Sequence, residues 1–118
     1  MTDVQILHNP RCSKSRQTLQ LLQDNGIEPQ IIEYLKHPLN ERELEAVFNK
    51  LGYDNILDMM RPKEAEFTQA GLDKKHLDTP QGLQAIAKYP KLIERPIVIK
   101  DNNARIGRPP EAVMELFK

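Results

Sequence analysis

Val4-Gln5-Ile6-Leu7-His8-Asn9-Pro10-Arg11-Cys12-Ser13-Lys14-Ser15-Arg16 decides the fold: an apolar run, a polar turn around a cysteine, then helical spacing. The run Val4-Gln5-Ile6-Leu7 reads as a strand. Residues 15–25 read as a helix with Leu19 and Leu22 on one face and Gly26 closing it. Residues 27–34, carrying Ile31, Ile32 and Tyr34, read as a second strand. Two strands joined by such a helix form a right-handed βαβ unit with the strands parallel. Cys12 then lies at the mouth of the first crossover, facing unpaired backbone N–H groups and the positive end of the helix dipole, which favour thiolate. It is the only cysteine in the chain. Any disulfide in a reaction cycle must therefore use a thiol from another molecule.

The 118 residues suit one ordinary core and are expected to form a single domain spanning 1–118. Seventeen basic and seventeen acidic side chains cancel, so no nucleic acid and no membrane is expected as a partner. Any basic site must be local. Met1-Thr2-Asp3 carries no positive leader region, and no apolar run reaches the length of a signal core or membrane span. A lone cysteine suits the reducing cytoplasm, the expected location. Nine dispersed prolines mark turns and boundaries.

Beyond His37-Pro38, Asn40 with Glu43 forms a capping-box variant opening a helix over residues 41–51, with Leu44, Val47, Phe48 and Leu51 as its buried stripe. Residues 53–60 read as another short helix, and Thr79-Pro80 opens a further one ending near Tyr89-Pro90. Then come a short β-branched run, Ile97-Val98-Ile99, a turn at Asp101-Asn102-Asn103, a partner strand at Ala104-Arg105-Ile106-Gly107, and a closing helix after Pro109 and Pro110. The order βαβ, helical insert, ββα resembles an α/β thioredoxin-like mixed sheet with a helical insertion between its halves. The insert, about residues 37–90, is read as short of apolar residues of its own and is expected to be a lid on the core.

Ser15 stands where a dithiol redox motif has its second cysteine. Serine cannot resolve a mixed disulfide, but it can hydrogen-bond a thiolate or an oxyanion. An isolated cysteine is most often a small buried hydrophobe. Cys12, however, is bracketed by Asn, Pro, two Ser, Lys and two Arg, which is no core setting. His8 has two open readings, a proton acceptor or charge partner for Cys12, or a satisfied histidine at a strand end. The loop of the cysteine phosphatases is excluded, because Thr18 stands where it needs arginine. No cysteine or histidine cluster has metal-ligand spacing, so no metal is expected.

The stretch His8 to Arg16, with Glu94-Arg95-Pro96-Ile97 and Arg105-Ile106-Gly107-Arg108-Pro109, resembles the glutaredoxin-coupled arsenate reductase family over essentially the whole chain. The resemblance implies that Cys12 attacks arsenate held by Arg61, Arg95 and Arg108, with His8, Asn9, Ser15 and Pro96 supporting. It implies glutathione as co-substrate and glutaredoxin as partner, with no tightly bound cofactor, and a monomer is expected. It also implies a cis Arg95-Pro96 bond, although an arbitrary X-Pro bond is cis only about one time in twenty. Arg61, before a proline at a helix end, has the rival role of capping terminal carbonyls. Arg108 is the stronger case, since a cation beside a helix N-terminus is disfavoured unless an anion is present. Guanidinium forks suit a tetrahedral dianion and offset its repulsion from a thiolate. Two other functions compete. A glutathione-dependent oxidoreductase of monothiol glutaredoxin type would use Cys12 and Pro96 without three arginines. A transcriptional regulator binding RNA polymerase would need the Cys-x-x-Cys switch that Ser15 removes.

Overall fold

Val4 and Ile6, alternating with Gln5, set β1 (Val4–Leu7) inside a four-stranded sheet whose order is β2 (Gln30–Ile32), β1, β3 (Ile97–Lys100), β4 (Asn103–Ile106). The computed structural model describes residues 4–118; Met1-Thr2-Asp3, on which the reading of no leader rests, lies outside them. The chain resolves into two units, Met1–His37 with Arg95–Lys118, and Pro38–Glu94.

In the first unit β1 leads into α1 (Ser13–Asp24) and returns as β2 (Gln30–Ile32), parallel to β1 with Leu7 opposite Ile32. The helix stops where Gly26 takes φ +76°, a left-handed conformation that glycine adopts without steric cost. β3 (Ile97–Lys100) lies antiparallel to β1, placing Ile97 opposite Leu7, and β4 (Asn103–Ile106) pairs antiparallel with β3. Val4, Ile6, Leu22, Val98 and Val113 form the core on the α1 face, with Leu19, Ile27 and Phe117 packed against it. This is the thioredoxin-like order expected, βαβ then ββα with an insertion between.

The elements differ in detail. Strand pairing keeps only Gln30–Ile32 of the expected residues 27–34, because β2 is an edge strand paired with β1 alone. The closing segment Pro110–Phe117 is a 3-10 helix that buries Val113. The second unit, Pro38–Glu94, covers the insertion expected at about residues 37–90.

In the second unit α2 (Glu41–Leu51) starts on the capping box read from sequence: Asn40 accepts from Glu43 N–H at 2.8 Å, and Glu43 accepts from Asn40 N–H at 3.0 Å. Residues 53–60 yield only a 3-10 turn, Ile56–Met59, capped by Asn55. A short α3 (Ala65–Gln69) was not foreseen. α4 (Thr79–Lys88) opens on a second capping box, Asp78 with Gln81, one residue before the Thr79-Pro80 signal. α2 and α4 pack on each other. The unit also buries Met59, Met60, Leu92 and Ile93, which lie outside its α-helices, where helical periodicity does not reveal them. Among the described residues no helix is long and apolar enough to cross a membrane.

Gly82 is packed closely: a Cβ there would lie 2.6 Å and 2.7 Å from the two γ carbons of Ile56. A β-branched side chain cannot swing clear. Gly82→Ala should therefore lower stability by about 1–3 kcal/mol in urea unfolding, despite alanine's better helix propensity. A midpoint at or above wild type would show that α4 can shift instead.

Candidate active site

Cys12 is the N-cap of α1, with φ −94° and ψ 124°, half-buried at the junction the sequence indicates. Its carbonyl accepts the first helical bond, from Arg16 N–H at 3.0 Å, and its own N–H donates to Asn9 O at 3.0 Å. The Asn9 side chain accepts from Arg11 N–H at 3.0 Å, an Asx turn that bends the loop around Pro10. Arg16 clasps the same loop by donating to Pro10 O at 2.8 Å.

Beneath the loop lies a buried polar network. Ser15 Oγ, with no exposed surface, accepts from Asn9 N–H at 3.0 Å and lies 2.6 Å from His8 Nδ1. His8 N–H in turn donates to Ile32 O at 2.8 Å, tying the end of β1 to β2. Burial lowers the His8 pKa below its ordinary value; Glu33 raises it and Arg16 lowers it further. His8 Nδ1 is engaged with Ser15, and the ring braces the loop.

Two arginines come to the sulfur. Arg108 Nη2 lies 3.7 Å from Cys12 Sγ, and Arg108 Nε donates to Arg95 O at 2.9 Å. Burial, the largest single influence, raises the Cys12 pKa. The Ser15 N–H, the Arg95 guanidinium through hydrogen bond and charge, and the Lys14 N–H outweigh it, and the thiol is net acidic. The N–H groups act on the sulfur without closing a cap bond of full geometry. Arg95-Pro96 is cis, as the resemblance implies, and Arg108-Pro109 is cis as well. The second was missed, although the Arg-Pro step recurs in the sequence.

The first unit thus brings Cys12, His8, Asn9, Ser15, Arg95, Pro96 and Arg108 together. Arg61 belongs to the second unit. There its N–H donates to Leu92 O at 2.7 Å beside the Met60–Ile93 bridge, and its Nη1 sits 3.8 Å from a Glu94 carboxylate oxygen. That nitrogen is buried and makes no hydrogen bond among the described residues, so the ion pair leaves its donor capacity unused. Among the described residues no group of three or more His, Cys, Asp or Glu could hold a metal.

Fold and site together define a thioredoxin-like protein that presents one acidified thiol to guanidinium groups. The ArsC family profile matches residues 7–116, and the chain belongs to the ArsC family. It is 46% identical over 112 residues to the arsenate reductase of Haemophilus influenzae, covering 95% of this chain and 97% of that one. The arsenate reductase of Neisseria meningitidis serogroup B is 45% identical over 113 residues, covering 96% and 97%. The solved structure of arsenate reductase from Vibrio cholerae superposes with a TM-score of 0.91 at 46% identity, covering 95% of each chain.

The rate of Cys12 alkylation, followed against pH, should rise with a midpoint below the ordinary thiol value of about 8.5. Arg95→Ala should move that midpoint up, since it removes both a hydrogen bond and a charge that favour thiolate. An unshifted midpoint in the variant would assign the acidity to the helix end and Arg108.

Proposed function

We propose that this chain is an arsenate reductase in which Cys12 is the nucleophile and Arg61, Arg95 and Arg108 bind the oxyanion. The observation that carries the reading is the acidified Cys12 thiol with Arg108 Nη2 at 3.7 Å and Arg95 acting on the same sulfur. A disulfide substrate has no need of guanidinium groups beside the thiol, which favours an oxyanion over a glutaredoxin-type substrate. Arg61 enters through the family resemblance, and its buried Nη1, without a hydrogen bond, supports a place for it in anion binding.

The Cys12 thiolate attacks arsenic(V), and one arsenate oxygen leaves as water after protonation, giving a sulfur–arsenic adduct. The arginines offset the repulsion between the two anions and hold the charge that develops at arsenic. Glutathione thiolate then attacks the adduct. A disulfide between glutathione and Cys12 replaces the sulfur–arsenic bond, whose electron pair stays on arsenic as arsenite leaves. Glutaredoxin exchanges thiols with that disulfide and returns Cys12. Phosphorus has no such two-electron reduction under these conditions, so phosphate binds without turnover. His8, Asn9, Ser15 and Pro96 hold the loop and the arginine facing it. The two units act as one domain in this reading, as a monomer in the cytoplasm, with no tightly bound cofactor.

Turnover with arsenate, glutathione, glutaredoxin and a reductant tests the reading. Cys12→Ser should abolish it, and Arg95→Ala or Arg108→Ala should each cut kcat/KM by about a hundred-fold or more. A wild-type rate no higher than background would sink the arsenate assignment. Undiminished rates in both arginine variants would remove the oxyanion site and leave only the thiol.

A further inference from the structure

We propose that Thr18 and Gly107 are positioning residues for the anion site: the missing side chain at Gly107 lets both arginine loops close on the second turn of α1, where Thr18 stands. The proposal deepens the arsenate reading and rests on it for the identity of the substrate alone.

Gly107 is buried, directly after β4, and its φ is not in the left-handed region occupied by Gly26, Gly52 and Gly71. Any residue could adopt its backbone, so conformation does not require glycine there. Space does. A Cβ at this position would meet Thr18 Oγ1 at 2.5 Å, Pro96 Cγ at 2.8 Å and Thr18 Cγ2 at 3.1 Å. Neither neighbour can retreat. Thr18 has no exposed surface, is stiff at χ1, and is pinned by its hydroxyl donating to Lys14 O at 2.8 Å. Pro96 is a closed ring.

Threonine is a poor helix former in a helix interior, where alanine or leucine would serve better. Its presence at 18, fully buried against Gly107, is explained by the surface it offers to the arginine loops. Those loops are joined to each other twice: Gly107 N–H donates to Pro96 O at 2.9 Å, and Arg108 Nε donates to Arg95 O at 2.9 Å. A push at residue 107 therefore displaces Arg95 and Arg108 together, away from the helix whose N-cap is Cys12. The Thr18–Gly107 contact sets the distance between the sulfur and both guanidinium groups.

The test reads arsenate KM, the pH midpoint of Cys12 alkylation, and thermal unfolding in wild type and variants. Gly107→Ala should raise KM by about ten-fold or more, as expected when binding groups are misplaced by a fraction of an ångström to an ångström. It should also move the alkylation midpoint up toward the ordinary thiol value while unfolding stays cooperative. Adding Thr18→Ala removes two of the three crowding atoms and should restore much of both losses, a non-additive rescue. Thr18→Leu fills the same space from the helix side with Gly107 retained. It should reproduce both shifts, and it decides the matter if Gly107→Ala does not fold. An unchanged alkylation midpoint in folded Gly107→Ala, or a double variant no better than Gly107→Ala, would overturn the proposal. Alkylation needs no arsenate, so failure of wild-type turnover would remove the arsenate reading and leave the positioning role to be judged by the alkylation series.

Discussion

A half-buried thiolate is held only where backbone N–H groups and positive side chains outweigh the water it has lost, and the elements of the first unit are arranged around that balance at Cys12. Burial alone pushes the thiol the wrong way. The helix start supplies N–H groups from Lys14 and Ser15, and Arg95 supplies a charge and a hydrogen bond. Each depends on a different part of the chain: α1 must begin at residue 13, and the segment before β3 must return beside it. The sheet makes this possible by pairing β1 with β3, so that Leu7, which leads into the cysteine loop, lies opposite Ile97, which follows Arg95-Pro96.

The same economy governs the second arginine. A guanidinium beside a helix start meets an unfavourable dipole, and Arg108 also precedes a proline at the start of the closing 3-10 helix. With Nε anchored on the Arg95 carbonyl, Nη2 of the same guanidinium stands beside the sulfur. Lysine has no counterpart to this division of labour, because its three donors share one nitrogen and cannot present a planar fork away from the anchoring point. The chain carries no net charge, so the field at the site comes from these placed groups rather than from the protein as a whole.

Much of this was legible in the sequence, for identifiable reasons. Val4–Leu7, α1 and its glycine stop were readable because hydrophobic period and C-terminal chemistry agree, and α2 because Asn40 and Glu43 announce its start. The cysteine's setting was readable from its polar flanks. The extent of the second unit's interior was not. Met59 and Leu92 end short 3-10 helices and Met60 and Ile93 pair in an isolated bridge, and only tertiary placement shows that all four are buried. Thr18 was legible only as something absent, the arginine a phosphatase loop would need. Its contact with Gly107 joins residues far apart in the chain, and no local pattern encodes it. The Ser15–His8 bond was hidden for a related reason, since adjacency to Cys12 in sequence drew attention to the sulfur when the ring turns to the serine.

That serine explains why no second thiol stands beside Cys12. Position 15 is where a dithiol motif keeps its resolving cysteine, yet here it is the centre of the loop's hydrogen bonding. Its oxygen takes the Asn9 N–H and meets His8 Nδ1 with no surface exposed. Sulfur is larger and a weaker hydrogen-bond partner, so a cysteine at 15 would loosen the loop that places Cys12 on the helix end. Bracing the nucleophile and resolving it internally are competing uses of one position. A chain that commits position 15 to bracing gains a firmly held, acidified thiol. In the reading proposed above, the second thiol then comes from solution to a Cys12 that is half-buried rather than enclosed.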